Sequence, residues 1–251
     1  MIKKILKKIL PNFIIKLRQN YIFNKDIKKF SKMKTNEIFQ EIYKNKLWSP
    51  EEEKKIFNYY SGIGSHYDEF TLVYLDEIKN FLTSFSNKPS VVDLGCGDFK
   101  IGSNLRDYCD KYIAVDIFDE LIDANKIKYK ELNVDFRVLD ITKDQLPSGD
   151  ICFVRQVLQH LSNDLIEKFL DLISDKYKYL VITEHIPDGN FTPNLDILTG
   201  PYIRIIKNSG VELTEPPFNL KVKNKKNICN ISPKKIKGFE GVLNTKILKL
   251  N

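Results

Sequence analysis

The residues best placed to do chemistry are acids that follow apolar runs. Val91-Val92-Asp93-Leu94-Gly95-Cys96-Gly97-Asp98 reads as a buried strand entering a glycine-rich turn. Two glycines one residue apart let the backbone turn sharply and approach a ligand closely. Asp93 puts a carboxylate at the strand tip, where a phosphate-binding turn would use amides and a lysine, so the turn suits a ligand carrying a cation. A second apolar run, Tyr112-Ile113-Ala114-Val115, ends in Asp116, 23 residues after Asp93. An acid at about that distance is placed to accept hydrogen bonds from ribose hydroxyls. A third run, 134–139, ends in Asp140, a partner for an adenine amino group, and a fourth, Ile151-Cys152-Phe153-Val154, ends in Arg155-Gln156. Together the tips define one ligand crevice along the carboxyl edge of a parallel sheet.

S-adenosylmethionine carries an amine, a sulfonium, a ribose and an adenine, and fits that set of acids. Its methyl group is already activated. Transfer is an in-line displacement in which the protein aligns a nucleophile and, for a hydroxyl, removes its proton. Two histidines are candidate bases: His185 in Thr183-Glu184-His185 after the fifth strand, and His160 just past the fourth. Imidazole titrates near neutrality, which suits the task. Arg155 is a fork of donors able to clamp a carboxylate or phosphate, or to pair with a strand-tip acid. Cys96 lies in the turn itself, Ile117 or Phe118 is placed to pack on adenine beside the ribose acid, and Ile141 and Gln156 follow the other tips. On the acceptor side the candidates are His66, Glu184, Tyr202, Arg204 and Asn219. No metal centre is expected; Asp188, Asp196 and Glu184 are the nearest approach to one.

Residues from about Ser90 to His185 resemble the class I S-adenosylmethionine-dependent methyltransferases. The matching pieces are VVDLGCGD, the acid in IAVD, the acid in RVLD and the run from Asp150 to Leu161. A looser likeness is to a bacterial methyltransferase group linked with surface polysaccharides, or capsules. It rests on Ile42-Tyr43 to Trp48, on Ser61-Gly62-Ile63-Gly64-Ser65 and on Pro216-Pro217-Phe218-Asn219. In that group Arg-Asp often follows the fourth strand; here Gln156 replaces the acid. The resemblance implies an α/β fold: a doubly wound, Rossmann-like, mostly parallel seven-stranded sheet whose last strand inserts antiparallel. It also implies S-adenosylmethionine as cofactor, S-adenosylhomocysteine as product, and a sugar, nucleotide sugar or phosphorylated precursor as acceptor.

The elements that must carry these residues follow from periodicity. Strands alternate with helices at about 101–109, 119–131 and 162–175, and strand five is Tyr179-Leu180-Val181-Ile182-Thr183, a pattern that makes a doubly wound sheet. Upstream, 35–60 reads as helical, with Ser49-Pro50-Glu51-Glu52-Glu53 as a helix start, and a further helix spans about 69–85. The domain division is a helical extension over 1–86, with a cofactor-covering loop near 61–66, and a catalytic domain over 87–251. Residues 187–240 form an irregular acceptor-site insertion, and the last strand spans 241–250.

The chain has 251 residues and a net charge of +7. Residues 1–34 hold eleven Lys or Arg against one Asp, and the remainder is mildly acidic, 29 basic against 32 acidic. A nucleic-acid enzyme usually carries its positive charge across the catalytic domain, so a small acceptor is expected. An RNA or protein methyltransferase using the basic arm is the alternative. A non-methylating Rossmann protein that binds NAD is disfavoured, because the turn lacks the third glycine and Asp93 repels a pyrophosphate. Ile2, Ile5, Leu6, Ile9 and Leu10, interleaved with lysines, make a basic amphipathic helix; residues 2–17 are expected to pack on their own domain or on a second subunit, or else to contact an anionic membrane surface. Cys96, Cys109, Cys152 and Cys229 are too scattered for a metal site and read as reduced thiols, so a cytoplasmic location is expected, peripheral at the inner membrane face if the helix docks there.

Overall fold

A computed structural model describes residues 25–173, 175–233, 236 and 239–250. The expected amphipathic helix within residues 2–17 lies outside them.

Seven strands form one sheet in the order β3-β2-β1-β4-β5-β7-β6. They are β1 (Val91–Leu94), β2 (Tyr112–Asp116), β3 (Asp135–Val138), β4 (Ile151–Arg155), β5 (Tyr179–Ile186), β6 (Asn224–Ile231) and β7 (Val242–Lys249). The first five run parallel; β7 is antiparallel to β5, and β6 antiparallel to β7. Every residue of β1 is buried, as expected of a central strand covered on both faces. Asp93 is the one charged residue in it. The chain winds outward from β1 in one direction through β2 and β3 and in the other through β4 and β5, so the switch point falls between β1 and β4. Ligands in such folds bind at the carboxyl ends of the strands beside that point.

Residues 25–30 are helical, and six further α-helices lie wholly within the described residues: α1 (Thr35–Lys44), α2 (Ile63–His66), α3 (Asp68–Thr83), α4 (Lys100–Ser103), α5 (Asp119–Lys128) and α6 (Asn163–Ile173). Helix α3 buries Phe70, Tyr74, Ile78 and Leu82, a stripe at i+4 intervals. That stripe joins Val91, Tyr112, Phe153 and Val181 in one core cluster. Ile38, Phe39 and Ile42 of α1 join Val92, Val154, Leu158 and Phe169 in another. The amino-terminal helices therefore share the hydrophobic cores of the sheet, and the expected boundary at residue 86 separates no independent core.

Three expectations fail locally. The helix expected to start at Ser49 forms only a 3-10 turn, Glu53–Lys55. Lys46 Nζ donates to the carbonyls of Lys54 (2.5 Å) and Phe57 (2.8 Å), which folds that segment back on itself. The helix expected at 101–109 stops at Ser103 and resumes as a 3-10 turn, Arg106–Tyr108. Arg106 holds that turn in place through the carbonyls of Cys109, Leu132 and Asn133. Strand β6 lies inside the stretch expected to be irregular. It is an edge strand with most residues exposed and a register shift between Asn227 and Cys229; its lysines suit an edge but hide the alternation that marks a half-buried strand.

Candidate active site

A cavity of about 390 Å3 opens at the carboxyl edge of β1, β2 and β4. The turn after β1 forms its floor. Gly95 (φ 79°) and Gly97 (φ 56°) occupy left-handed conformations. A Cβ at Gly97 would collide with Ser61 Oγ, and one at Gly95 with the Val157 side chain. Glycine is therefore required twice over, by backbone angle and by space.

Asp116 Oδ2 accepts the Gly97 N–H at 3.0 Å and Oδ1 accepts the Phe118 N–H at 3.2 Å. Asp93 Oδ2 accepts the Tyr112 hydroxyl at 2.9 Å. Both carboxyls are buried. Desolvation pushes Asp93 up to about 7, partly offset by Tyr112, and Asp116 up to about 6, partly offset by its backbone N–H donors. Among the described residues neither forms an ion pair. Two buried carboxylates in one cavity, neither ion-paired and only Asp93 eased by the nearby charge of Arg155, make a receptor for a cationic, hydroxyl-bearing ligand. Asp140 completes the row; its Oδ1 accepts the Thr142 N–H (3.0 Å) and hydroxyl (2.6 Å).

A lid closes over this floor. Residues 61–65 line the cavity. Ser61 Oγ accepts the Asp98 N–H at 2.8 Å, and Asp98 Oδ2 accepts the Ser61 N–H (3.3 Å) while meeting His66 Nε2 at 2.5 Å. Arg155 grips the lid from the other side, with Nη2 donating to the Gly64 carbonyl (2.6 Å) and Nη1 to Ser65 Oγ (3.1 Å). Its guanidinium lies 4.7 Å from the centre of the Tyr74 ring and makes no ion pair with a strand-tip acid, so the clamp closes on the protein's own lid.

Residues 91–178 match a family described as a methyltransferase domain. This is a methyltransferase. Its cofactor is S-adenosylmethionine, and the cavity residues fit it: Asp93 would meet a cation of the cofactor, Asp116 its ribose hydroxyls and Asp140 its adenine end. Solved structures similar to the enzyme include the N-methyltransferase NodS from Bradyrhizobium japonicum with S-adenosylhomocysteine, at 14% identity, covering 73% of this chain and 88% of that one with a TM-score of 0.53. A methyltransferase from Leishmania major shares 14% identity, with 76% of each chain covered and a TM-score of 0.52. TehB from Haemophilus influenzae shares 14%, covering 70% of this chain and 62% of that one, with a TM-score of 0.52. At such identities the likeness shows the fold. No curated protein matches the enzyme's sequence.

The structure gathers Asp93, Gly95, Cys96, Gly97, Asp116, Ile117, Asp140, Ile141, Arg155 and Gln156 around one cavity, with His160, His185 and Tyr202 on the remaining wall. Burial raises the Cys96 thiol well above its ordinary range, so it is an inert lining group. Tyr202 reaches the cavity while its hydroxyl donates to Asp26 Oδ2 at 2.8 Å.

Other expectations are corrected. Phe118 turns away from the cavity and stacks on Tyr43, 5.6 Å between ring centres. His66 is not an acceptor contact; it is wedged between Asp98 and the Tyr60 ring, where it fastens the lid. Glu184 faces the opposite side of β5 from His185, because successive strand residues alternate faces. It accepts the N–H groups of Leu158 (3.1 Å) and Gln159 (2.8 Å), and burial pushes it up to about 8. Arg204 is wholly buried and donates to the carbonyls of Leu158, Leu161 and Leu195 and to Asn163 Oδ1. It braces the loops around the site and does not reach the acceptor. Asn219 lies outside the cavity and donates to the Pro217 carbonyl. Among the described residues no group of three or more His, Cys, Asp or Glu is arranged to hold a metal ion.

The two candidate bases differ. His160 is buried, and desolvation pushes it down to about 4, which makes it a weak base. His185 lies at the cavity wall, stacked on Phe239 at 4.4 Å, with Nε2 2.5 Å from the Glu240 carbonyl. A carbonyl only accepts, so Nε2 carries the proton and Nδ1 keeps the lone pair. Burial also lowers His185 from its ordinary value, so it is neutral near pH 7.

Sequence reasoning missed Asp98, Thr142, Gln159, Phe39 and Phe239, and gave no role to Tyr43 or Trp48. Asp98 stands in the quoted turn, but its task as lid anchor depends on a loop 37 residues away. Gln159 ties the tips of β4 and β5 together by accepting the His185 N–H at 2.8 Å. Nothing in its local sequence signals that.

Proposed function

We propose that the enzyme methylates a hydroxyl of a small carbohydrate acceptor, with His185 Nδ1 removing the hydroxyl proton. The observation that carries the reading is the His185 geometry: a neutral imidazole at the cavity wall, its tautomer fixed by the Glu240 carbonyl and its Nδ1 left as the base. The far wall is aromatic. Phe39, Tyr43, Trp48 and Tyr202 line it, and Trp48 is fixed by its Nε1–H donating to the Pro201 carbonyl at 3.2 Å. Rigid aromatic faces suit the apolar face of a sugar ring, and a cavity of this size suits a small molecule.

In this scheme the turn of Gly95 and Gly97, with Asp93 and Asp116, holds the bound S-adenosylmethionine, which supplies an activated methyl group. The lid of residues 61–65, fastened by Asp98 and Arg155, excludes water. His185 takes the proton as the acceptor oxygen attacks. A small acceptor also agrees with the mildly acidic charge outside residues 1–34, whereas an RNA substrate would favour a basic one.

The test is methyl transfer from radiolabelled S-adenosylmethionine to a panel of methyl glycosides, nucleotide sugars and sugar phosphates, run beside total RNA and a protein extract. Label in a glycan fraction that is lost with His185→Ala supports the proposal. Label confined to RNA or protein overturns it.

A further inference from the structure

Resting on that reading, we infer that Gln156 orients the acceptor: its side-chain amide N–H donates to an uncharged oxygen of the sugar.

The order of the strands places it. Across β3, β2, β1, β4 and β5 the residues at or just past the tips are Asp140, Asp116, Asp93, Gln156 and His185. The three acids would meet in turn the adenine end, the ribose and a cation of the cofactor, and His185 is the base. Gln156 stands between Asp93 and His185, where the cofactor ends and the acceptor begins. Its backbone N–H donates to the Thr183 carbonyl of β5 at 2.6 Å, which ties the two tips together.

The orientation of the amide follows from one unambiguous donor. Arg155 Nη1 lies 3.1 Å from Gln156 Oε1. A guanidinium only donates, so the atom it meets is the amide oxygen and the other end is the N–H2 group. Among the described residues nothing accepts from Gln156 Nε2. The described side-chain polar atoms that are both buried and without a partner belong to Ser49, Tyr60, Arg155 and His160, and Gln156 Nε2 is not one of them. It is therefore an open donor on a residue that lines the cavity.

The local backbone and the lid both hold this donor in place. Gln156 has a φ of 56°, a left-handed conformation that residues other than glycine adopt rarely and at a cost. A Cβ at Gly64 would collide with the Gln156 amide, so glycine at that point of the lid leaves room for it. The amide thus sits between the Arg155 guanidinium and the closed lid. A carboxylate in this place could only accept; the amide presents an N–H and no charge. His185 offers a lone pair to the hydroxyl that loses its proton, and Gln156 offers an N–H to an oxygen lone pair.

The charge around the cavity argues that this oxygen is neutral. Among the described residues four carboxyls line it, Asp93, Asp98, Asp116 and Asp140, against one cation, Arg155. Both terminal nitrogens of that cation are already bonded to the lid or to Gln156. A phosphate would meet four acids and a donor fork already in use. A hydroxyl or ring oxygen of an unphosphorylated sugar suits an uncharged amide N–H.

The test is 1H–15N NMR of the 15N-labelled full chain saturated with S-adenosylhomocysteine at pH 7, read at the side-chain amides and at the indole of Trp48, the chain's one tryptophan. The Gln156 amide is assigned by its loss in Gln156→Met and in Gln156→Glu, so either variant serves if the other fails to fold. Methyl α-glucoside, mannoside or galactoside should shift that amide. A glycoside that shifts the Trp48 indole and leaves the Gln156 amide still overturns the inference, and in that case the carbohydrate reading survives. If no glycoside shifts any site signal, that reading fails and takes this inference with it. Gln156→Met, which fills similar space without a donor, should weaken the glycoside about tenfold and hold S-adenosylhomocysteine within about threefold. The reverse pattern, a weakened cofactor and an unchanged glycoside, makes Gln156 a cofactor contact and overturns the inference. Tighter binding of glucose 1-phosphate than of methyl α-glucoside overturns the uncharged oxygen.

Discussion

Replacing Asp93 by Asn should stabilise the ligand-free enzyme while weakening its grip on the cofactor. Burial raises this carboxyl from an ordinary 3.8 to about 7. The folded state therefore holds its proton more tightly than the unfolded chain does. Stability from such a group is fully present below about pH 4 and is lost as pH rises through about 7. One pKa unit corresponds to about 1.4 kcal/mol, so a shift of roughly three units means about 4 kcal/mol withheld from folding at pH 8. Asn removes the charge and keeps an oxygen for the Tyr112 hydroxyl, but it buries an amide that needs partners. A net gain of about 2 kcal/mol remains, or about 4–8 °C in Tm for a chain of this size. The gain should shrink towards pH 5, where the Asp93 proton stays on in the folded state. Loss of a charge-assisted contact to the cofactor amine should weaken S-adenosylhomocysteine by about tenfold to a hundredfold. Differential scanning fluorimetry at pH 8 and pH 5, with and without S-adenosylhomocysteine, reads both effects. A Tm at pH 8 no higher than that of the parent, together with unchanged affinity, would refute the view of Asp93 as an unneutralised buried charge awaiting a cation.

Asp116→Ala should weaken S-adenosylhomocysteine at least tenfold by calorimetry, since it removes an acceptor and leaves the Gly97 and Phe118 N–H groups unpaired. His185→Ala should lower kcat by about 10²–10⁴ with cofactor affinity retained. In the parent, kcat should be flat near pH 7 and fall only on acidification below His185's ordinary 6.5, because burial lowers its pKa; a profile that falls already at pH 7.5 would speak against this base. Arg204→Ala strips a buried donor from the carbonyls of Leu158, Leu161 and Leu195, so chemical denaturation should show about 3 kcal/mol or more of lost stability. A loss confined to acceptor KM would return Arg204 to the acceptor site.

Much of the cofactor side was legible because it is local. An apolar run, a glycine turn and an acid at the tip lie within eight residues, and β-strand geometry alone carries Asp93, Asp116 and Asp140 to one edge. The left-handed angles of Gly95 and Gly97 were implied by the residue type. Phe118 was misjudged because its neighbour Ile117 carries the same apolar signal, and only the stacked Tyr43 ring decides which of the two turns inward. The acceptor side was far less legible. Arg204, Glu184 and His66 look like functional groups in the sequence, yet each satisfies buried backbone or side-chain partners far away in the chain.

The amino-acid order by itself determined the alternation of strand and helix, the acidic carboxyl edge and hence the class of cofactor, because these depend on contacts and geometry a few residues long. The tertiary structure alone decided which polar groups face the cavity and which brace it. That choice turns on partners 25 or more residues apart: Asp98 with the lid, Glu184 with the Leu158 and Gln159 amides, and Gln159 with His185. A buried polar group is settled by whichever partner folding brings within 3 Å, and no local pattern records that partner.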